Sequence, residues 1–259
     1  TSLFLLIPTL VVVIGAFTGA GGVTLGNFSA LAPDKSPFLT VLGHSFVLSI
    51  VTALAGAVIG AVLAYAVSTA AAGGLLRRFV SSLCGVLAQF GGVALAFAFM
   101  ATLGSQGFLT LWLKNLGLDL TTSLWLYQWD QGLMLVYLFF QIPLMLIVFL
   151  PAVEGLRPQW REATETLGGT TWTYWSKVAG PILLPSFIGA TLLLFTNAFS
   201  ADATAAALIT QASPLVPLMI GDTFSSEVLL GQENIGKAMA FVAVLVVAVV
   251  MALYAVLDR

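Results

Sequence analysis

Charge is the scarcest commodity in this sequence. Lysine, arginine, aspartate and glutamate together supply 8% of its 259 residues, where soluble globular domains carry about a quarter. Hydrophobic residues make up 59%, and the mean hydropathy is +1.06. A fold with so few charges has no polar surface to keep it in water, so lipid is the solvent for most of it. Cysteine occurs once, as Cys84 in an apolar stretch. It excludes an internal disulfide and reads as a small buried hydrophobe. Histidine also occurs once, as His44, which argues against a histidine-based metal site and reads as a satisfied interfacial side chain. No basic stripe points to nucleic acid, and the net charge of −2 is uninformative about partners. With one histidine and no paired aspartates in the apolar runs, an intramembrane enzyme is disfavoured.

What is present is length of apolar run. Six stretches, 2–20, 41–69, 79–103, 132–152, 181–201 and 236–257, approach the ~20 residues that cross a ~30 Å hydrocarbon core. Backbone groups in lipid must be satisfied within their own segment, so these are helices. Runs such as Ala53-Leu54-Ala55-Gly56-Ala57 and Gly91-Gly92-Val93-Ala94 let helices approach closely and predict a packed bundle. The chain opens at Thr1 directly in apolar sequence with no basic leader, the pattern of a trimmed first span and not of a signal peptide.

Basic residues set the expected orientation. With the N-terminus inside, the inner segments hold Arg77, Arg78, Arg157, Arg161, Lys177 and Arg259, and the outer ones Lys35, Lys114 and Lys237. Both termini and the 153–180 loop are therefore expected in the cytoplasm. Outside, Trp112, Trp125, Tyr127 and Trp129 suit an interfacial aromatic belt. Residues 202–235, with Pro214 and Pro217, suit a short re-entrant or interfacial helix. No internal repeat, low-complexity tract or second domain is visible, so residues 1–259 read as one domain.

The 153–180 loop is the most informative segment. Pro158 suits the first position of a helix. Trp160, Ala163 and Leu167 then recur as one apolar stripe, with Arg161, Glu162 and Glu165 off it. Gly168-Gly169 stops that helix, and Thr170 or Thr171 can cap a second short one through Trp172, Tyr174 and Trp175. Pro181 then starts the fifth span. The expectation is two short amphipathic helices joined by a glycine turn across the membrane face.

This loop resembles the EAA loop of binding-protein-dependent ABC importer permeases of type I. Glu162 and Ala163 match the family pattern, Gly168 stands six positions after the glutamate, Val178 sixteen, and Pro181 follows. Leu167-Gly168-Gly169 and Trp172 also look like the family's sequence. Thr164 replaces the second alanine, and Gly180 the leucine before the proline. The stretch from Asn197 to Thr204 resembles permeases of the spermidine/putrescine, thiamine, iron(III) and phosphonate group. Many of those carry an aromatic where this chain has Asp202.

The resemblance implies an all-α integral membrane protein of six transmembrane helices with the type I ABC importer permease (MetI-like) fold. It implies half of a translocation pathway in a bacterial inner membrane, coupled to a cytoplasmic ATPase dimer through Glu162, Ala163, Leu167, Gly168 and Trp172. Its other implied partners are a second permease, expected as a heterodimer, and an extracytoplasmic solute-binding protein. The chain is then a transport subunit and not an enzyme. It carries no cofactor and no Gly-x4-Gly-Lys-Ser/Thr loop, and ATP-Mg belongs to the ATPase.

Candidate pathway residues are Asp202, Asn197 and Ser200 at the outer end of the fifth span, and Gln89 and Gln141 within the third and fourth. Ionisable groups in or beside spans are functional candidates. Asp202 suits a path or outer gate attracting a cationic solute, a polyamine first in order, or equally a carboxylate capping a helix near Thr204. Gln89 and Gln141 suit cross-helix bonds better than a cavity wall, and Pro143 suits a loosened helix. The alternative reading, an ion-coupled secondary transporter or channel, calls for a charged relay or inverted repeats, and neither is visible.

Overall fold

The computed structural model describes residues 2–19, 22–32, 34, 36–70, 74–117, 126, 131–209, 215–225 and 233–257. A short apolar helix, α1 (Ser2–Ala16), leads into two paired two-residue strands, β1 (Thr18–Gly19) and β2 (Gly22–Val23). The Asn27 amide, in the one-turn helix α2 (Gly26–Ser29), donates to the carbonyls of Ala16 and Thr18 at 2.9 and 3.0 Å. It thereby satisfies a carbonyl left open at the end of α1. At 15 residues, α1 is about 22 Å long, shorter than the 2–20 span expected.

The centre of the molecule is built from three helices, α3 (Phe38–Ser68), α7 (Gly132–Glu154) and α10 (Gly180–Ser200). Their shared core holds Ala53, Ala57 and Ala64 of α3, Met145, Leu146 and Phe149 of α7, and Leu194, Phe195 and Phe199 of α10. Small residues on α3 allow this. A methyl group at Gly56 would stand 2.9 Å from Gln141 Cβ, and one at Gly60 2.5 Å from Met145 Cβ and 2.8 Å from the Ile142 carbonyl. The stripe that the sequence marks as close-packing is thus the α3–α7 seam. α7 continues through Pro143 and Pro151 as one helix.

The apolar run at 79–103 folds differently from expectation. It divides into α4 (Leu75–Gln89) and α5 (Gly92–Leu103), separated at Phe90-Gly91, with α6 (Phe108–Asn115) following. Gly91 is extended and Gly92 has φ +70°, a left-handed conformation that suits glycine. The stretch long and apolar enough to span is Gly92–Asn115, and α4 is an amphipathic helix packed on α7. Five stretches among the described residues meet that length: Phe38–Ser68, Gly92–Asn115, Gly132–Glu154, Thr171–Ser200 and Glu233–Ala255. The last belongs to α13 (Glu233–Leu257), which lies against α1 and α10 and leaves Val244, Val249 and Leu253 exposed.

Among the described residues of 202–232 there are two short helices where one was expected, α11 (Ala203–Leu208) and α12 (Val216–Ser225). α12 holds Pro217, and its first N–H is accepted by the buried Ser45 hydroxyl of α3 at 2.9 Å. Trp112 is exposed on α6. Trp125, Tyr127, Trp129, Pro214, Lys35 and Arg259 lie outside the described residues.

Candidate functional site

Two regions collect the residues singled out by sequence. The first follows α7. Arg157 is extended, Pro158 opens α8 (Pro158–Thr166), and the Arg157 guanidinium stands 6.0 Å from the centre of the Trp160 ring. Within α8, Arg161 Nε meets Glu165 Oε1 at 3.1 Å, and the Thr164 hydroxyl donates to the Trp160 carbonyl at 2.8 Å. The helix ends in a Schellman turn. The Gly168 N–H donates to the Glu165 carbonyl at 3.0 Å, and the Gly169 N–H to the Thr164 carbonyl at 2.9 Å. Gly168 has φ +77°, the left-handed position this motif requires. Gly169 is needed for space, since a methyl group there would stand 2.7 Å from Thr164 Cγ2.

Thr170 then caps α9 (Thr171–Tyr174) through a reciprocal pair with Thr173, at 3.3 Å in each direction. Such caps contribute about 1 kcal/mol. α9 is not a separate element lying on the membrane face, as expected. It passes through a π turn (Trp175–Ala179) directly into α10, so Thr171–Ser200 is one helical run of 30 residues. Pro181 explains the wide turn, because it brings no N–H to an ordinary helical bond. Gly180 explains how the turn closes. Its N–H reaches the Trp175 carbonyl, and a methyl group there would stand 2.5 Å from that oxygen. Glycine at position 180 is therefore a packing requirement here.

The apolar residues of this turn face outward. Leu167 is 88% and Trp172 79% exposed, and Glu162 and Ala163 are exposed beside them. The expected stripe divides, with Trp160 half-buried and Ala163 and Leu167 open. Behind α8 lies a cavity of ≈ 410 Å³, with Arg77, Arg157 and Arg161 among its lining residues. Arg77 is ion-paired there with Glu154, the last residue of α7. In the sequence Arg77 reads as a topology anchor, and its pairing with Glu154 emerges only in the fold. The signal for Glu154 was a lone carboxylate closing a long apolar run.

The second region lies at the other end of α10, where the helix stops at Ala201. The fully buried Tyr137 of α7 donates its hydroxyl to the Ala201 carbonyl. The Gly92 N–H donates to Thr204 Oγ1 at 2.8 Å, and that hydroxyl reaches the Gly92 carbonyl at 3.3 Å. Thr204 thus ties the break before α5 to the break before α11. Asp202 and Gln89 flank these two breaks, both exposed. Asp202 occupies the position before α11, yet its carboxylate makes no cap hydrogen bond, which corrects the capping alternative. Gln141 is fully buried and bridges helices, donating from Nε2 to the Leu194 carbonyl at 2.8 Å and facing Asn197 Nδ2 at 3.5 Å through Oε1. Ser200 is exposed and bonds within its own helix to the Thr196 carbonyl at 2.8 Å. Tyr137 and Thr204 carried no sequence signal, since their partners lie 64 and 112 positions away.

No family model matches the chain. Over 92 residues, 36% of its length, it is 34% identical to the sulfate transport system permease protein CysT of Escherichia coli (strain K12). Over 112 residues, 43% of its length, it is 29% identical to the thiamine transport system permease protein ThiP of the same organism. These matches span 31% and 20% of the two relatives' own lengths. In three dimensions the chain superposes on a chain of a bacterial alginate ABC transporter, crystallised with an alginate pentasaccharide-bound periplasmic protein. The TM-score is 0.73 at 17% identity, covering 99% of this chain and 90% of the other. A second structure, of a bacterial ABC transporter involved in import of the acidic polysaccharide alginate, gives 0.69 at 16% identity, covering 99% and 96%. The chain has the all-α membrane fold of ABC importer permeases.

Proposed function

We propose that this chain, which shares the fold of ABC importer permeases and local sequence with two of them, is the membrane-spanning permease subunit of such an importer. It forms half of a solute pathway in a bacterial inner membrane. The observation that carries this reading is the α8–α9 turn. An exposed Leu167 and Trp172 beside an exposed Glu162 form an apolar knob with a charged rim, held rigid by a Schellman turn and a threonine cap. Water gains nothing from that arrangement, and a cleft in a cytoplasmic ATPase subunit does. The chain is the coupling subunit, and ATP hydrolysis belongs to the partner ATPase dimer. A solute-binding protein delivers the substrate, and a second, different permease completes the path.

Asp202 supports a small organic cation such as a polyamine as substrate. It is an exposed carboxylate just beyond the last turn of α10, a fixed negative charge that a cationic solute can meet. The named relatives handle sulfate and thiamine, so the two charge classes are both represented among them, and Asp202 favours the cationic one.

The test is reconstitution of the chain with its ATPase and binding protein in vesicles, comparing wild type with Glu162→Lys. The expected result is normal insertion and loss of both uptake and solute-stimulated ATP hydrolysis. Normal uptake by Glu162→Lys would remove α8 from the coupling role.

A further inference from the structure

The cavity behind α8 continues into a second one. The ≈ 410 Å³ cavity shares Tyr65, Val153 and Trp175 with an apolar groove of ≈ 340 Å³. The groove runs between α3, α7 and α10 and is walled by side chains such as Val62, Leu184 and Phe187. The two halves differ sharply in chemistry. At one end Arg77, Arg157 and Arg161, with the Ser68 and Thr69 side chains, face Glu154, the one carboxylate among the described lining residues. At the other, every wall residue is apolar up to the shared Tyr65 and Trp175. Those two rings meet edge to face at 5.0 Å where the halves join. Tyrosine and tryptophan prefer the level at which lipid headgroups give way to acyl chains.

We propose that this bipartite groove is a binding site for one anionic phospholipid, its phosphate diester among Arg157, Arg161 and Arg77 and one acyl chain along α3 and α10. Arginine suits a phosphate because its planar fork donates two parallel hydrogen bonds. Arg77 is already held by Glu154 and supplies the fixed wall. Arg161 is engaged by Glu165, an exposed pair at 55% and 61% side-chain exposure, of the kind that contributes little. Arg157 makes its aromatic contact with Trp160 and has guanidinium donors left for a phosphate. Basic pockets between membrane helices hold lipid headgroups by this logic. Because Arg157 and Arg161 belong to the segment proposed for coupling, the lipid would brace α8 against the bundle from behind. The site itself requires only that the chain spans a membrane, so it stands or falls separately from the transport assignment.

The experiment is native mass spectrometry of the detergent-purified chain offered equal amounts of phosphatidylglycerol and phosphatidylcholine. One phosphatidylglycerol should be retained in preference. Arg157→Gln with Arg161→Gln should weaken retention by about fivefold per arginine. Arg78→Gln, an exposed arginine outside the cavity, should leave it unchanged. Val62→Trp, which narrows the apolar half, should also weaken it. Equal retention of both lipids, or an equal loss in Arg78→Gln, overturns the site. Displacement by excess inorganic phosphate with no effect of Val62→Trp assigns the pocket to a free anion and overturns the lipid. A lipid-free dimer whose association Val62→Trp disrupts assigns the groove to a second copy and likewise overturns it.

Discussion

At Gly60 the α3–α7 seam leaves no room for a side chain, and the consequence is testable. A valine there would drive its Cβ to 2.5 Å from Met145 Cβ, so the two helices must separate or Met145 must leave its place. Overpacking of this kind costs about 1–3 kcal/mol. Gly60→Val should therefore lower the thermal unfolding temperature in detergent. Gly43→Ala, on the same helix with nothing within 4 Å of the added methyl, should not. The seam was legible in the sequence because small residues spaced along one helix face have few other uses in lipid. Gly180 was not legible. Its necessity comes from the Trp175 carbonyl brought close by a π turn, and only the folded backbone shows that approach. Gln141 was legible as a cross-helix bond, although its acceptor, the Leu194 carbonyl, was not.

Local chemistry decides which elements could be read in advance. The α8 turn and the Thr170 cap are written in neighbouring residues, so glycine, threonine and proline spacing sufficed. The break at Phe90-Gly91 is not. Hydropathy runs straight across it, and Gly91-Gly92 read as a packing surface when it is a helix end. What stabilises the break is Thr204, 112 positions distant, which gives the Gly92 N–H and carbonyl a partner that the helix withholds. Thr204→Val keeps the shape and removes both hydrogen bonds, leaving a part-buried N–H unsatisfied at a cost of about 1–3 kcal/mol. The expected outcome is faster hydrogen exchange at Gly92 and along the first turn of α5, with exchange in α7 unchanged. Unchanged protection at Gly92 would mean that Thr204 is not what holds the junction.

For the molecule as a whole, composition alone established the solvent, and the resemblance carried by one loop led to the fold. The substrate is the part that sequence does not spell, because it depends on which groups face the path. Asp202 offers the most direct probe. In the reconstituted importer, Asp202→Asn should lower uptake of a cationic solute by roughly fivefold, the order of 1 kcal/mol for one screened charge. ATPase stimulation should be retained. Unaltered uptake would make Asp202 a bystander. The 30-residue run Thr171–Ser200 has a mechanical meaning beyond its length. About 45 Å of continuous helical rod joins the exposed knob at Trp172 to the Tyr137-held end at Ala201, with the π turn and Pro185 as the places where it can bend. The π turn sets the phase of that rod. One residue more than an ordinary turn shifts the phase of everything beyond it by about 100°, so the face that α10 gives to the core is set at that turn.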